Sequence, residues 1–162
     1  MIQKGLNKAI PVWLIGLAIV IAGCMNMGDK DSGPTQNPGS MSAVCGDKWE
    51  MRLLRINGQA VPVDQPQEFT FLCNSDGEAM GKSGINTYRG TLQITTNGQI
   101  LWDTASFAST KMAGPPQIME QETQYLRALS GTRQAFVKSG GGRLILRDAP
   151  GDIYIEFIKA GS

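Results

Sequence analysis

The stretch 88–102, YRGTLQITTNGQILW, decides the fold. Tyr88, Leu92 and Ile94 recur at even spacing, so their side chains share one side of an extended chain. Asn97-Gly98 then supplies a pair that readily takes the backbone of a hairpin turn, and Ile100 and Trp102 begin the returning strand. The same pattern continues in both directions. Upstream, Trp49, Met51 and Leu53 alternate with charged residues before an Asn57-Gly58 turn, and Phe69, Phe71 and Cys73 alternate before Asn74-Ser75-Asp76-Gly77. Downstream, segments 135–138, 144–147 and 153–159 are separated by Ser139-Gly140-Gly141-Gly142 and Asp148-Ala149-Pro150-Gly151. About seven or eight short strands with tight turns predict a mainly antiparallel sheet, curled or closed incompletely into a barrel.

One segment breaks the alternation. In 116–129, Ile118, Met119, Glu122, Tyr125, Leu126 and Leu129 fall at helical spacing. Pro115 and Pro116 suit its start, and Ser130-Gly131 suits its stop. A single helix packed on the sheet makes the fold α+β.

Composition narrows the chemistry. The 162 residues include no histidine, so there is no imidazole base and no His-ligated metal. Three cysteines cannot make a tetrathiolate zinc site, and no cofactor is expected. A formal charge of +1 provides no basic field for nucleic acid. Twenty glycines and 18% charged residues suit a turn-rich β protein.

The N-terminus carries a processing signal. Lys4 and Lys8 precede the apolar run 10–21, whose 12 residues fall short of the ~20 that span a bilayer. The run ends in Ile21-Ala22-Gly23-Cys24, which looks like a bacterial lipobox, with Cys24 as the lipid attachment site. Residues 1–23 are then a lipoprotein signal peptide. Cleavage removes 23 of 162 residues and leaves 139; losing Lys4 and Lys8 turns 15 basic against 14 acidic residues into 13 against 14, a net charge of −1. Met25 in place of aspartate points to the outer membrane, facing the periplasm, in a Gram-negative host. Residues 24–44 are rich in Gly, Pro, Ser and Asn and read as the lipidated cysteine and a flexible tether, with the folded domain at 45–162. The partner so defined is the membrane itself, reached through N-terminal acyl chains.

Cys45 and Cys73 remain after Cys24 is acylated. In an oxidising compartment the expectation is one disulfide, with two buried free thiols as the alternative.

Other motifs carry less chemistry. Gly81-Lys82-Ser83 resembles the end of a phosphate loop, but the required first glycine falls at Asp76 and a strand follows instead of a helix. Gly81 and Gly84 flank a bend, and Asn86 is suited to a left-handed backbone or to satisfying buried main-chain groups. Glu122 on the apolar helix face needs a partner, for which Lys111 or Arg89 is available.

These residues together resemble the META domain of the heat-shock lipoprotein HslJ family. The likeness covers nearly all of 49–158: the Trp49 strand, Asn57-Gly58, the aromatic strand 68–71, and the segments 81–88, 109–114, 119–129 and 144–146. It assigns Gly84, Asn86, Tyr88, Thr110, Lys111, Met112 and Glu122 to the family motif. Where the family has cysteines, this chain has Ile85 and Gly114, a joint loss expected if those cysteines bond to each other. The resemblance implies a small sheet-rich envelope domain, often lipid-anchored, linked to stress or antibiotic tolerance, with no reaction assigned.

Three functions compete. The first is a non-enzymatic envelope lipoprotein acting through its surface, in stress tolerance or as an accessory to an envelope protein assembly. The second is a binding module holding an acyl chain or other apolar ligand in a cavity lined by Phe69, Phe71, Trp102, Tyr125 and Leu126. The third is an enzyme using Glu122, Lys111 and Asn86, which lacks a second acid, a histidine or a metal.

Overall fold

A computed structural model describes residues 36–161; the expected signal peptide, Cys24 and residues 25–35 lie outside the described residues. Ten strands form one sheet, all pairs antiparallel. They are β1 (Gln36–Pro38), β2 (Lys48–Ile56), β3 (Gln59–Ala60), β4 (Thr70–Cys73) and β5 (Glu78–Lys82), then β6 (Thr87–Ile94), β7 (Ile100–Ser109), β8 (Gln134–Lys138), β9 (Arg143–Arg147) and β10 (Ile153–Lys159). Their spatial order is β1-β8-β9-β10-β2-β4-β5-β6-β7, with β3 hooked onto β2. Helix α1 (Met41–Val44) is one turn, and α2 (Pro116–Gly131) is the long helix. The fold is the expected α+β curled sheet.

The sheet curls until its far ends touch. The β6–β7 hairpin turns through Thr95 O accepting from Gly98 N–H at 3.0 Å, with Gly98 at φ +80°. The tip of this hairpin reaches β8: Ala135 N–H donates to Gly98 O at 2.7 Å, and Ile100 N–H donates to Arg133 O at 2.8 Å. A Cβ on Gly98 would sit 2.6 Å from Ala135 O and 3.3 Å from Gly39 N, so only glycine permits this approach. Beyond the contact β7 departs from regular pairing. Arg89 faces Ala108 while Thr91 faces Asp103, which makes a large bulge opposite Gly90. The bulge lays Phe107 over Gly90, where a Cβ would meet its ring at 2.9 Å. The sheet therefore remains unclosed.

The core lies inside the curl. Trp49, Leu54, Phe69, Phe71, Leu92, Ile100, Tyr125, Leu129, Leu144, Leu146, Ile155 and Phe157 are almost fully buried. Trp49 also donates its indole N–H to Val44 O at 2.7 Å, tying α1 to β2, so truncation to alanine should cost about 3–5 kcal/mol. On α2 the buried face is Gln121, Glu122, Tyr125, Ala128 and Leu129; Leu126 is only half-buried. Helical spacing alone cannot tell these adjacent faces apart.

Two expectations about chain organisation change. Residues 36–44, placed in the tether, contain β1 and α1. Backbone pairing rather than apolar burial holds β1, since Gln36, Asn37 and Pro38 are exposed while paired with Lys138, Val137 and Phe136. Strands β3 and β5 raise the strand number to ten. Only Ala79 of β5 is buried, so its alternation is nearly silent in the sequence. Cys45 and Cys73 are joined by a disulfide across 28 positions, with Cα atoms 4.6 Å apart.

Candidate functional site

The motif residues converge on Asn86, which sits in the link between β5 and β6. Its side chain is fully buried, and its amide uses both ends. Asn86 Nδ2 donates to Glu122 Oε2 at 3.0 Å and to Met112 O at 3.2 Å. Its Oδ1 accepts from Thr110 Oγ1 and from Met112 N–H, both at 2.7 Å. Ser83 N–H donates to Asn86 O at 2.8 Å. One amide thereby ties the β5–β6 bend, the segment after β7 and helix α2 together. Asn86 is not left-handed; among non-glycine described residues with positive φ only Asn57 appears, at 53°.

Glu122 is 5% exposed and faces this amide. The expected cation partners are not there: Lys111 and Arg89 are exposed and make none of the ion pairs found among the described residues. Met112 joins through its main chain, while its side chain is 53% exposed. Gln121 Oε1, next to Glu122 in sequence, is buried without a hydrogen-bond partner among the described residues.

A second polar cluster lies beside the first. Tyr88 Oη and Tyr125 Oη both donate to Thr70 O, at 2.8 and 3.0 Å, and lie 3.3 Å from each other. Burial, followed by the neighbouring Tyr125, pushes the Tyr88 phenol well above its ordinary value. Burial does the same for Tyr125. Gly81 makes this packing possible, because a Cβ there would meet Thr70 O at 2.0 Å and Tyr88 Oη at 2.8 Å. Gly84, at φ +91°, would present a Cβ 3.1 Å from Ile118. Lys82, in the segment that resembles a phosphate loop, pairs with Glu68 at 3.1 Å.

The five residues expected to line an apolar cavity pack together or against the core. Phe69 meets Tyr125 edge-on at 5.2 Å, and Phe71 meets Trp102 at 6.5 Å and Phe157 at 6.0 Å. Trp102 and Leu126 are half-buried against this cluster, and the Trp102 indole donates to Thr132 Oγ1 at 3.1 Å. A half-open groove of about 450 Å³ lies elsewhere, beside α2, lined by Ile56, Val61, Arg127, Ala128 and Ile153 among others. The sequence reading missed it because its residues come from four separate segments.

The curled sheet, the long helix and the Asn86-centred motif define a META-type α+β domain. The META domain model matches residues 42–160, and the chain belongs to the META-domain family. No curated protein matches the chain significantly. Two solved structures share the fold. A protein from Burkholderia xenovorans, solved by NMR, superposes with a TM-score of 0.64 at 19% identity, covering 83% of this chain and 97% of that one. A crystal structure of a DUF4847 family protein from Bacteroides vulgatus gives 0.51 at 14% identity, covering 73% and 95%.

Proposed function

We propose that this chain is a bacterial cell-envelope lipoprotein, anchored through acyl chains on Cys24, whose META domain works without catalysis. Its role is in stress or antibiotic tolerance, or as an accessory to an envelope assembly, at the periplasmic side of the outer membrane in a Gram-negative host. The lipobox and family membership support the setting. The observation that carries the non-enzymatic reading is the closed bonding of the motif. Asn86 spends two donor and two acceptor positions inside the protein, and Glu122 is directed at that amide. Asn86 is thereby left without a free polar group for a substrate, and Glu122 is 5% exposed with Oε2 committed to that amide.

The test is complementation of a deletion strain under heat and antibiotic stress, alongside radiolabelled palmitate incorporation and membrane fractionation. Glu122→Gln should complement fully, and Cys24→Ser should lose both label and membrane association. Loss of complementation by a stably folded Glu122→Gln protein would overturn the non-enzymatic reading. An apolar-ligand role moves from the aromatic cluster to the groove beside α2, whose Ile56, Val61, Ala128 and Ile153 supply apolar walls. Native mass spectrometry should then show a bound lipid that Ala128→Trp displaces.

A further inference from the structure

We propose that the outer face of β8, β9, β10 and β2 lies against anionic phosphate headgroups of the bilayer that holds the acyl anchor. This rests on the lipid-anchor reading and adds an orientation to it. Register places three cross-strand rows on that face. They are Gln134, Arg147, Tyr154 and Arg55; then Phe136, Ile145, Glu156 and Leu53; then Arg143, Ile158 and Glu50, with Lys138 two residues beyond Phe136 on the same side of β8. Lys48 continues the face along β2, and Arg52 projects from the β2 bulge.

Charge is unevenly placed. Leaving out Lys4, Lys8, Lys30, Asp29 and Asp31, residues 36–161 carry 12 cations and 12 carboxylates, a neutral sum. This face holds six of those cations (Lys48, Arg52, Arg55, Lys138, Arg143, Arg147) and two carboxylates. Both carboxylates are engaged: Glu50 with Lys48 at 3.4 Å, and Glu156 with Arg143 at 3.0 Å and the Tyr154 hydroxyl at 3.1 Å. The nearest others along the chain are Asp47, paired with Lys159 at 2.8 Å, and Asp148 and Asp152 of the β9–β10 turn, where Asp148 Oδ1 accepts from Gly151 and Ile153 N–H. Arg52, Arg55, Lys138 and Arg147 make none of the ion pairs found among the described residues.

The arginines are also ordered. The Arg147 guanidinium lies 4.6 Å from the Phe136 ring centre, and that of Arg55 lies 5.8 Å from Tyr154. Stacking holds each guanidinium along the sheet; Arg147 Nε donates to Gln134 Oε1 at 2.9 Å, and the terminal N–H groups of both arginines remain for phosphate oxygens. Ile145, on the same face, is 1% exposed and sits outside the main core cluster, roofed by this outer layer.

Chain geometry selects the membrane as the occupant. Gln36 pairs with Lys138 at the edge of this face, and 12 residues run from Cys24 to Thr35. Twelve residues reach at most about 40 Å even when fully extended, so the face stays within reach of the anchoring leaflet. An anionic headgroup layer attracts each nearby Lys or Arg, and several such contacts act together.

Every described element begins at or after Gln36, so the lipid-free chain from Met25 onward is the protein to test. It should float with vesicles of phosphatidylcholine mixed with phosphatidylglycerol, and not with phosphatidylcholine alone. Arg52→Glu/Arg55→Glu/Lys138→Glu should weaken this binding about a hundredfold. Lys82→Glu/Arg89→Glu/Lys111→Glu, which changes net charge equally at exposed sites elsewhere, should leave it nearly unchanged. Circular dichroism confirms that both variants are folded. Absence of wild-type binding, equal loss in both variants, or capture by soluble polyanions but not vesicles would each overturn the proposal. Palmitate labelling of Cys24 reads the anchor separately: vesicle binding without acylation removes the anchor and keeps the face, and acylation without vesicle binding does the reverse.

Discussion

Ile85 and Gly114 occupy each other's space. A Cβ built on Gly114 would lie 1.8 Å from Ile85 Cδ1 and 3.3 Å from its Cγ1. The two positions where the family has cysteines thus face each other, and here an enlarged residue on one side is matched by the absence of a side chain on the other. Gly114→Ala should cost about 1–3 kcal/mol by overpacking, and Ile85→Val, which deletes the clashing methyl, should restore most of it. Ile85→Cys/Gly114→Cys should form a cross-link under oxidising conditions. Thermal unfolding of the four members of the cycle, with mass spectrometry of the double cysteine variant, measures both; additive effects would refute the direct packing.

Asn86→Ala leaves the Glu122 carboxylate without its amide donor and strips Thr110 and Met112 of their acceptor. The expected loss is about 3–5 kcal/mol, far more than the ~1 kcal/mol typical of a neutral hydrogen bond. Glu122→Gln keeps an oxygen for Asn86 Nδ2 and should cost much less. Urea unfolding of the two variants compares them directly.

Alkali should reveal the buried phenols. The chain has three tyrosines, and all are raised: Tyr88 and Tyr125 by burial, and Tyr154 to about 12, first by burial and then by Glu156. In the unfolded chain a phenol loses its proton near pH 10, while the folded phenols keep theirs. The unfolded state then binds fewer protons, so stability is complete below about pH 10 and falls as pH rises toward and beyond 12. Absorbance at the phenolate band should stay flat through pH 10 and rise together with loss of circular dichroism. A separate phenolate transition near pH 10 in the folded protein would contradict the burial.

Removing the disulfide with Cys45→Ser/Cys73→Ser opens a loop closed across 28 positions. The chain-entropy estimate is about 3–4 kcal/mol, or roughly 10–15 °C in Tm for a domain of this size. Scanning calorimetry with and without reductant measures the change, and the double variant should show no further response to reductant.

The strands legible in the sequence are those whose inward residues are large and regularly spaced, such as Trp49 and Met51 or Phe69, Phe71 and Cys73. Those that escaped are held by main-chain bonds: Gln36–Pro38 shows no inward side at all, and Glu78–Lys82 buries only Ala79. The helix was visible from its period, but the carboxylate on it was assigned a cation when its actual partner, Asn86, lies 36 positions away. The cationic outer face stayed hidden because its residues are dispersed over four strands and join only through register.

The disulfide also governs how the domain would answer a pull on its leading end. Traction at Gln36 can peel off only residues 36–44, because Cys45 is covalently joined to Cys73 in β4. From there the load passes into a strand flanked by β2 and β5, inside the sheet. The leading arm can detach and reseat like a buckle while the barrel-like body behind it keeps its shape.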